Sequence, residues 1–186
     1  MGKSKVFNKG FTIVELLIVI VVIGILAAIV SVAYNGVQTK AKNSQTVNAV
    51  ASWVKAMEMY KVDNGNYPTV NSCLGNANTY ANESNGVCWG ADTSTTWQFK
   101  PALATALSDY MSSLPEPSSQ NINTAADVRR GAMYYYSSPG VEEIRVSIIG
   151  ITSQSECPSI GGLNSAYGAG STVDGRSCYY RLPSTP

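Results

Sequence analysis

Glu15 is the residue whose position most needs a chemical explanation, because it is a single carboxylate inside a long apolar stretch. Residues 11–30 read FTIVELLIVIVVIGILAAIV and hold no other charge. An ionised carboxylate in an apolar environment is usually retained for a partner or a function. Glu15 also lies close to the end of the segment, where its side chain could reach a membrane surface at little cost. An assembly contact and an interfacial acid are therefore both open.

Four cysteines are the other reactive side chains: Cys73, Cys88, Cys157 and Cys178. They lie outside the apolar segment and lack the paired C-x-x-C spacing of zinc or redox sites, which favours disulfides. Of the three possible pairings we favour Cys73 with Cys88 and Cys157 with Cys178, because both loops are then short. Such bridges form in an oxidising compartment. Four reduced, buried cysteines in a cytosolic protein are the alternative.

The composition argues against catalysis and against nucleic-acid binding. The chain has no histidine, the commonest general base and metal ligand, and no nucleophile stands beside a plausible base. Charged residues make up 13% and the formal net charge is +1, so no basic field gathers nucleic acid. Asp174 is one carboxylate, too few for a calcium shell. We predict no enzyme, no cofactor, no metal and no nucleic-acid partner.

The apolar segment has the length and composition of a membrane-spanning helix. Its Ile, Leu, Val and Phe residues outweigh one acid, which costs about 3 kcal/mol at the bilayer centre. The lysines at positions 3, 5 and 9 favour a cytoplasmic N-terminus and place the rest of the chain outside the cytoplasm. A cleaved secretory signal is the alternative, with Ala27 and Ala28 as the small residues that cleavage needs.

The segment MGKSKVFNKG and the apolar stretch after it resemble the leader and N-terminal helix of type IV prepilins. The matching elements are a short basic leader ending in Gly10, the following Phe11, and Glu15 within the apolar helix. The resemblance implies that a prepilin peptidase cuts between Gly10 and Phe11 and methylates the new Phe11 amine. It also implies that Glu15 pairs with the Phe11 amine of a neighbouring subunit, so that each buried charge finds its opposite only on assembly.

The chain lacks the helix-breaking proline that many pilins carry further along this helix, where it reads AAIVSVA over residues 27–33. Proline removes a helical hydrogen bond and promotes kinking. Its absence leaves open whether the helix unwinds in a filament, with Asn35 and Gly36 as a substitute weak point.

Helical spacing of apolar residues extends the helix to about Asp63, where Asn64 and Gly65 suit a left-handed C-cap. The sequence EMYKVDNGNYP resembles the end of this helix in many pilins and in the major pseudopilins of secretion systems. The predicted fold is α+β, a long N-terminal helix packed on a small antiparallel β-sheet. The predicted divisions are a leader (1–10), a transmembrane and assembly helix (11–30), the outer half of that helix (31–63) and a globular head (64–186).

Within the head we predict short elements separated by polar loops. Alternate tyrosines of Tyr134, Tyr135 and Tyr136 should pack against the helix, and a stacking platform for nucleic acid is the weaker alternative. The predicted segments are a surface loop at 71–96, a short amphipathic helix at 100–114, a loop at 118–127, a hairpin of strands 132–137 and 143–149, a loop at 152–176 and a third strand at 177–182.

These features predict a structural subunit of a type IV pilus that serves adhesion, motility or DNA uptake. By resemblance, it starts as a single-pass protein of the inner membrane and moves to a cell-surface filament through an assembly platform and motor ATPase. A pseudopilin of a type II secretion or competence system is the alternative, although a compact head with an evident calcium loop would suit it better. A membrane-anchored binding module with an uncut leader is the alternative of another class.

Overall fold

The computed structural model describes residues 10–81, 86–91, 95–123, 127–172 and 174–184. The chain forms two compact units, Met1–Gln38 and Thr39–Pro186. Helix α1, Ile13–Asn64, contributes residues to both. The described part of the second unit also holds the short helix α2 (Pro101–Ala106), a 3-10 turn (Gln154–Glu156) and nine β-strands. The predicted α+β class is confirmed.

The larger sheet has five strands in the described residues, and all of its pairings are antiparallel. In one of these pairings, Ile144 lies opposite Tyr180 on the neighbouring strand. Its strands are β1 (Ser72–Cys73), β6 (Ala132–Tyr136), β7 (Glu142–Ile149), β8 (Tyr167–Thr172) and β9 (Gly175–Arg181), in the order β1-β6-β7-β9-β8.

The smaller sheet is formed by four described strands, again antiparallel. Its strands are β2 (Val87–Ala91), β3 (Thr95–Gln98), β4 (Asn121–Asn123) and β5 (Asp127–Arg130), in the order β3-β2-β5-β4. A disulfide between Cys73 and Cys88 joins β1 of the larger sheet to β2 of this one.

The main core lies between the second half of α1 and one face of the five-stranded sheet. Trp53 and Met57 on the helix are fully buried, and Tyr134, Ile144 and Tyr180 on the sheet are fully buried in the same cluster. The spacing of the helical residues, Val50, Trp53, Val54 and Met57, places them along one stripe of the helix. Burial of each large apolar side chain contributes about 1.5 to 3 kcal/mol, so this contact dominates the stability of the second unit.

The end of α1 is fixed by local capping and by the C-terminal segment. Gly65 has φ of 78°, a conformation that favours glycine, and its N–H donates to the Lys61 carbonyl at 2.8 Å. The Lys61 ammonium and the Tyr67 hydroxyl both donate to the Pro183 carbonyl. Burial, with the negative charges of Glu58 and Glu142, raises the pKa of Tyr67 to about 12, so its hydroxyl stays protonated as a donor at neutral pH.

Helix α2 is shorter than predicted. The helix ends at Ala106 instead of Leu114, and Leu107 caps it through its N–H. Ser108 follows, and its hydroxyl donates to the Thr105 carbonyl. Serine and aspartate side chains compete in this way with helical hydrogen bonds, so the helix yields to turns although Leu107 still reaches the core.

Three predicted loops contain strands, and those loop predictions were wrong at these places. Strand β2 lies in the predicted loop 71–96, β4 in 118–127 and β8 in 152–176. None of these segments shows a sustained alternation of apolar and polar residues, because β2 (VCWGA) has no charged or hydroxyl side chain, β4 (NIN) is only three residues long and β8 (YGAGST) is rich in small residues. Their pairing partners, which the sequence does not reveal, determine their conformation.

The hairpin and the tyrosine alternation are confirmed. Strands β6 and β7 pair antiparallel, with Tyr134 opposite Ile144. Tyr134 is fully buried in the main core and Tyr136 packs against it, whereas Tyr135 makes an edge contact with Trp97 on the other side. Successive strand residues point to opposite faces, which accounts for this split.

Substitution of Trp53 tests the main core. Trp53→Ala should lower the free energy of unfolding by about 3 to 5 kcal/mol, because it removes a fully buried ring and a 2.9 Å hydrogen bond from its indole N–H to the Pro115 carbonyl. The matched control is Val62→Ala on the same helix, where the side chain is 82% exposed and the expected change is within about 0.5 kcal/mol. Urea unfolding of the full chain in detergent measures both; equal effects would contradict this core.

Candidate functional site

The candidate site is the start of helix α1, where Gly10 and Phe11 precede the first helical residue, Ile13. The Phe11 side chain is 84% exposed, and the backbone at Gly10 is exposed as well. A peptide bond in this position, outside regular secondary structure, is accessible to a peptidase. The rest of the leader, residues 1–9, lies outside the described residues.

Thr12 and Glu15 form a reciprocal cap at the first turn. The Thr12 N–H and hydroxyl both donate to one carboxylate oxygen of Glu15, at 2.8 and 2.7 Å, and the Glu15 N–H donates to the Thr12 hydroxyl oxygen at 3.2 Å. This arrangement is a capping box, in which an N-cap threonine and a glutamate three residues later satisfy each other's backbone donors. A negative charge here is also favourable for the helix dipole.

Thr12 was missed by the sequence interpretation, which treated Glu15 alone. The signal was present, because threonine followed three residues later by glutamate, just before an apolar run, is the sequence pattern of a capping box. The intramembrane carboxylate therefore has a local partner in one chain, a third explanation beside the assembly contact and the interfacial acid.

The first unit presents apolar side chains that the chain does not cover. The most apolar 18-residue window of α1 has a mean hydropathy of 3.3 and none of it is buried. Individual exposures run from 47% at Val22 to 86% at Ile13. By length and composition this stretch is a candidate membrane span. The helix continues through Asn35 and Gly36, the predicted weak point, without a break.

The predicted cysteine residues all lie in the second unit, apart from the candidate site. The structure joins Cys73 to Cys88 and Cys157 to Cys178, the same pairing that short loops favoured. Their formation in the cell stays a prediction. Among the described residues, no group of three or more potential metal-ligating side chains lies together, and no cofactor is assigned.

Comparison with known proteins adds two family matches along the N-terminal half. Residues 7–31 match the prokaryotic N-terminal methylation motif, which spans Gly10, Phe11 and Glu15. Residues 33–94 match type II secretion system protein G. Over this half, the chain is similar to the type IV pilin and pseudopilin family. This family consists of structural subunits of pilus or secretion systems and not of enzymes. The prediction that the chain is not an enzyme is supported by this similarity, and the lack of histidine is not needed for it.

The relatives that match this chain cover the same N-terminal part of it. The type II secretion system core protein G of Escherichia coli is 41% identical over 67 residues, which is 36% of this chain and 46% of that protein. The core protein G of Vibrio cholerae is 38% identical with the same shares. Fimbrial protein EcpC of Eikenella corrodens is 40% identical over 75 residues, 40% of this chain and 49% of that protein.

The matched part of this chain spans about half the length of these relatives. No solved structure matches the chain. The family assignment therefore rests on the N-terminal helix and the start of the head, and the second half of the head is described by its own geometry.

Replacement of Thr12 tests the local cap. Thr12→Ala should speed hydrogen exchange at the Glu15 and Leu16 amides, which donate to Thr12, by roughly fivefold, since loss of an N-cap side chain costs about 1 kcal/mol. Thr12→Ser keeps a hydroxyl and should exchange like the unchanged chain. Exchange measured by mass spectrometry on the full chain in detergent micelles checks both variants. Equal exchange in the alanine and serine variants would contradict the cap.

Proposed function

We propose that this chain is a pseudopilin, a structural subunit of a type II secretion filament, matured between Gly10 and Phe11 and assembled through its N-terminal helix. The observation that carries the proposal is the match of residues 33–94 to type II secretion system protein G, directly after a methylation motif. The exposed apolar stretch of α1 supports it, because such a surface needs either lipid or other helices around it.

Maturation changes the charge at the site. Cutting the Gly10–Phe11 bond releases a positive amine at Phe11, and methylation by the same prepilin peptidase leaves that charge in place. The amine then stands at the helix N-terminus, one turn from the Glu15 carboxylate. An uncut chain has a neutral peptide bond there, so the peptidase creates the cation that a second subunit presents to Glu15.

Assembly then exchanges one partner of Glu15 for another. In the single chain, the carboxylate accepts two hydrogen bonds from Thr12. In the filament, the Phe11 amine of a neighbouring subunit supplies a full charge in a dry environment, where a hydrogen-bonded ion pair is much stronger than at a surface. The hydrogen bonds from Thr12 satisfy the Glu15 carboxylate before assembly, which lowers the free-energy cost of holding that carboxylate in the bilayer.

The location follows the same two stages. Before assembly the apolar stretch crosses the inner membrane, and the disulfide-linked head lies outside the cytoplasm. After assembly the subunit is part of a helical filament. Extraction from the bilayer requires work, which an assembly platform and motor ATPase provide. The leader at 1–10, the assembly helix at 11–30, its outer half at 31–63 and the head at 64–186 keep their predicted roles in this scheme.

A type IV pilus subunit is the second candidate function. The sequence interpretation placed it first, and the secretion relatives reverse that order. The resemblance to fimbrial protein EcpC of Eikenella corrodens is the observation that keeps it in consideration. The third prediction, an anchored binding module, requires that the leader stays attached.

Processing and assembly can be separated with Glu15 variants. The unchanged chain, isolated from its native envelope, should begin at Phe11 with the added mass of one methyl group. Glu15→Gln should still be cut but should fail to assemble, because removing one partner of a buried ion pair costs about 3 to 5 kcal/mol at each interface. Glu58→Gln, a matched change on the same helix outside the apolar stretch, should assemble normally. Intact mass measures the processing step, and chemical cross-linking measures assembly.

The outcomes distinguish the candidates. A chain that keeps Met1 would contradict both filament functions and support the anchored binding module. A mature chain recovered from sheared surface fibres would support the pilus. Mature chain that stays with the envelope, together with loss of protein secretion on deletion, would support the pseudopilin. Normal assembly of the Glu15→Gln variant would contradict the role of Glu15.

A further inference from the structure

The five-stranded sheet has two chemically different faces. Along β7, Ile144 and Val146 are buried in the main core against α1. The alternate residues Glu143, Arg145 and Ser147 lie on the opposite face, because successive strand residues point to opposite sides. Apolar residues on one face and polar residues on the other are typical of an antiparallel sheet with one face in water. The second face therefore does not need a cover in order to fold.

Polar groups on this second face find partners within the sheet itself. Glu143 forms ion pairs with Arg145 at 3.4 Å and with Arg181 at 3.8 Å. The Arg145 guanidinium also lies over the rings of Tyr135, at 4.1 Å, and Tyr179, at 5.0 Å. These contacts connect β6, β7 and β9 and use no residue of the four-stranded sheet.

The four-stranded sheet nevertheless lies against this face. Trp97 makes an edge contact with Tyr135 at 5.7 Å between ring centroids, and Trp89 is 6.1 Å from Tyr179. The Arg129 guanidinium donates to the Ser177 hydroxyl at 3.1 Å. The buried apolar residues at this contact form a second cluster, smaller than the main core: Cys73, Tyr80, Cys88, Trp89, Met133 and Tyr179. Arg129 is buried beside them, with its guanidinium 5.5 Å from the centre of the Trp89 ring.

The two disulfides join different parts of the second unit. Cys73–Cys88 joins β1 of the larger sheet to β2 of the smaller one, and both residues are fully buried in the small cluster. Cys157–Cys178 ties the residue directly after the 3-10 turn to strand β9, with Cys178 in the main core. One bridge spans the contact between the sheets, and the other lies on the side of α1.

We infer that the four-stranded sheet is a cover that opens as a separate unit, latched by the Cys73–Cys88 disulfide. Opening uncovers an aromatic and arginine-lined face, including Tyr135, Tyr179 and Arg145. The helix-and-sheet core stays folded, because its other face already supplies the main hydrophobic contact. Local units of this kind open at lower free energy than the whole domain.

Hydrogen exchange on disulfide variants tests the inference. In the full chain in detergent micelles, replacement of both latch residues (Cys73→Ser with Cys88→Ser) should raise amide exchange in β2, β3 and β5 by roughly tenfold or more, since a disulfide limits the chain conformations that the opened state can adopt. Exchange in β6, β7 and β9 should stay within about twofold. The matched control, Cys157→Ser with Cys178→Ser, should raise exchange in β7 and β9.

A second variant keeps both disulfides. Trp97→Ala should raise exchange in β2, β3 and β5 alone, because it removes one of the aromatic contacts between the sheets. A uniform rise in all strands, or loss of the folded core in the Cys73→Ser and Cys88→Ser variant, would overturn the inference by showing one cooperative unit. No rise in the four-stranded sheet would overturn it by showing that the disulfide is not its latch.

Discussion

The apolar surface of residues 11–30 is the constraint on which the rest of this protein depends. Its side chains are not buried by the chain, and removal of such surface from water is the dominant favourable term in folding and association. In the proposed function, the bilayer covers this surface first and other copies in the filament cover it later. Helical structure is required in both states, because every backbone N–H and C=O within lipid must be satisfied inside the segment.

In the proposed filament, Glu15 makes the association of this surface specific. A purely apolar helix associates with any apolar neighbour, whereas a carboxylate restricts the neighbours to those that present a cation at the same depth. In the single chain, the capping box with Thr12 provides hydrogen bonds to the Glu15 carboxylate. In the proposed function, cleavage between Gly10 and Phe11 supplies the competing partner, which would couple processing and assembly by charge.

The helix, its C-cap and the central hairpin could be predicted from the sequence, because their signals are local: the apolar run, Asn64 before Gly65, and alternation around Ile144. Strands β2, β4 and β8 could not, because none has a sustained alternation of its own and each forms by pairing with another strand: β2 and β4 with β5, and β8 with β9. At the site, the residues at 10, 11 and 15 came from the motif. Thr12 could have been found from the capping-box pattern. The order of the two filament functions could not be predicted from the sequence alone and came from the comparison with relatives.

Contact between copies along the apolar stretch is the central claim, and site-specific photo-cross-linking measures it directly. A photoreactive amino acid at Ile18, whose side chain is 56% exposed in the single chain, reports what lies next to the helix in native envelopes. We expect a ladder of dimers and higher multimers of this chain, and its loss in the Glu15→Gln variant. Cross-links to lipid or to another protein alone, with no multimers of this chain, would contradict the account.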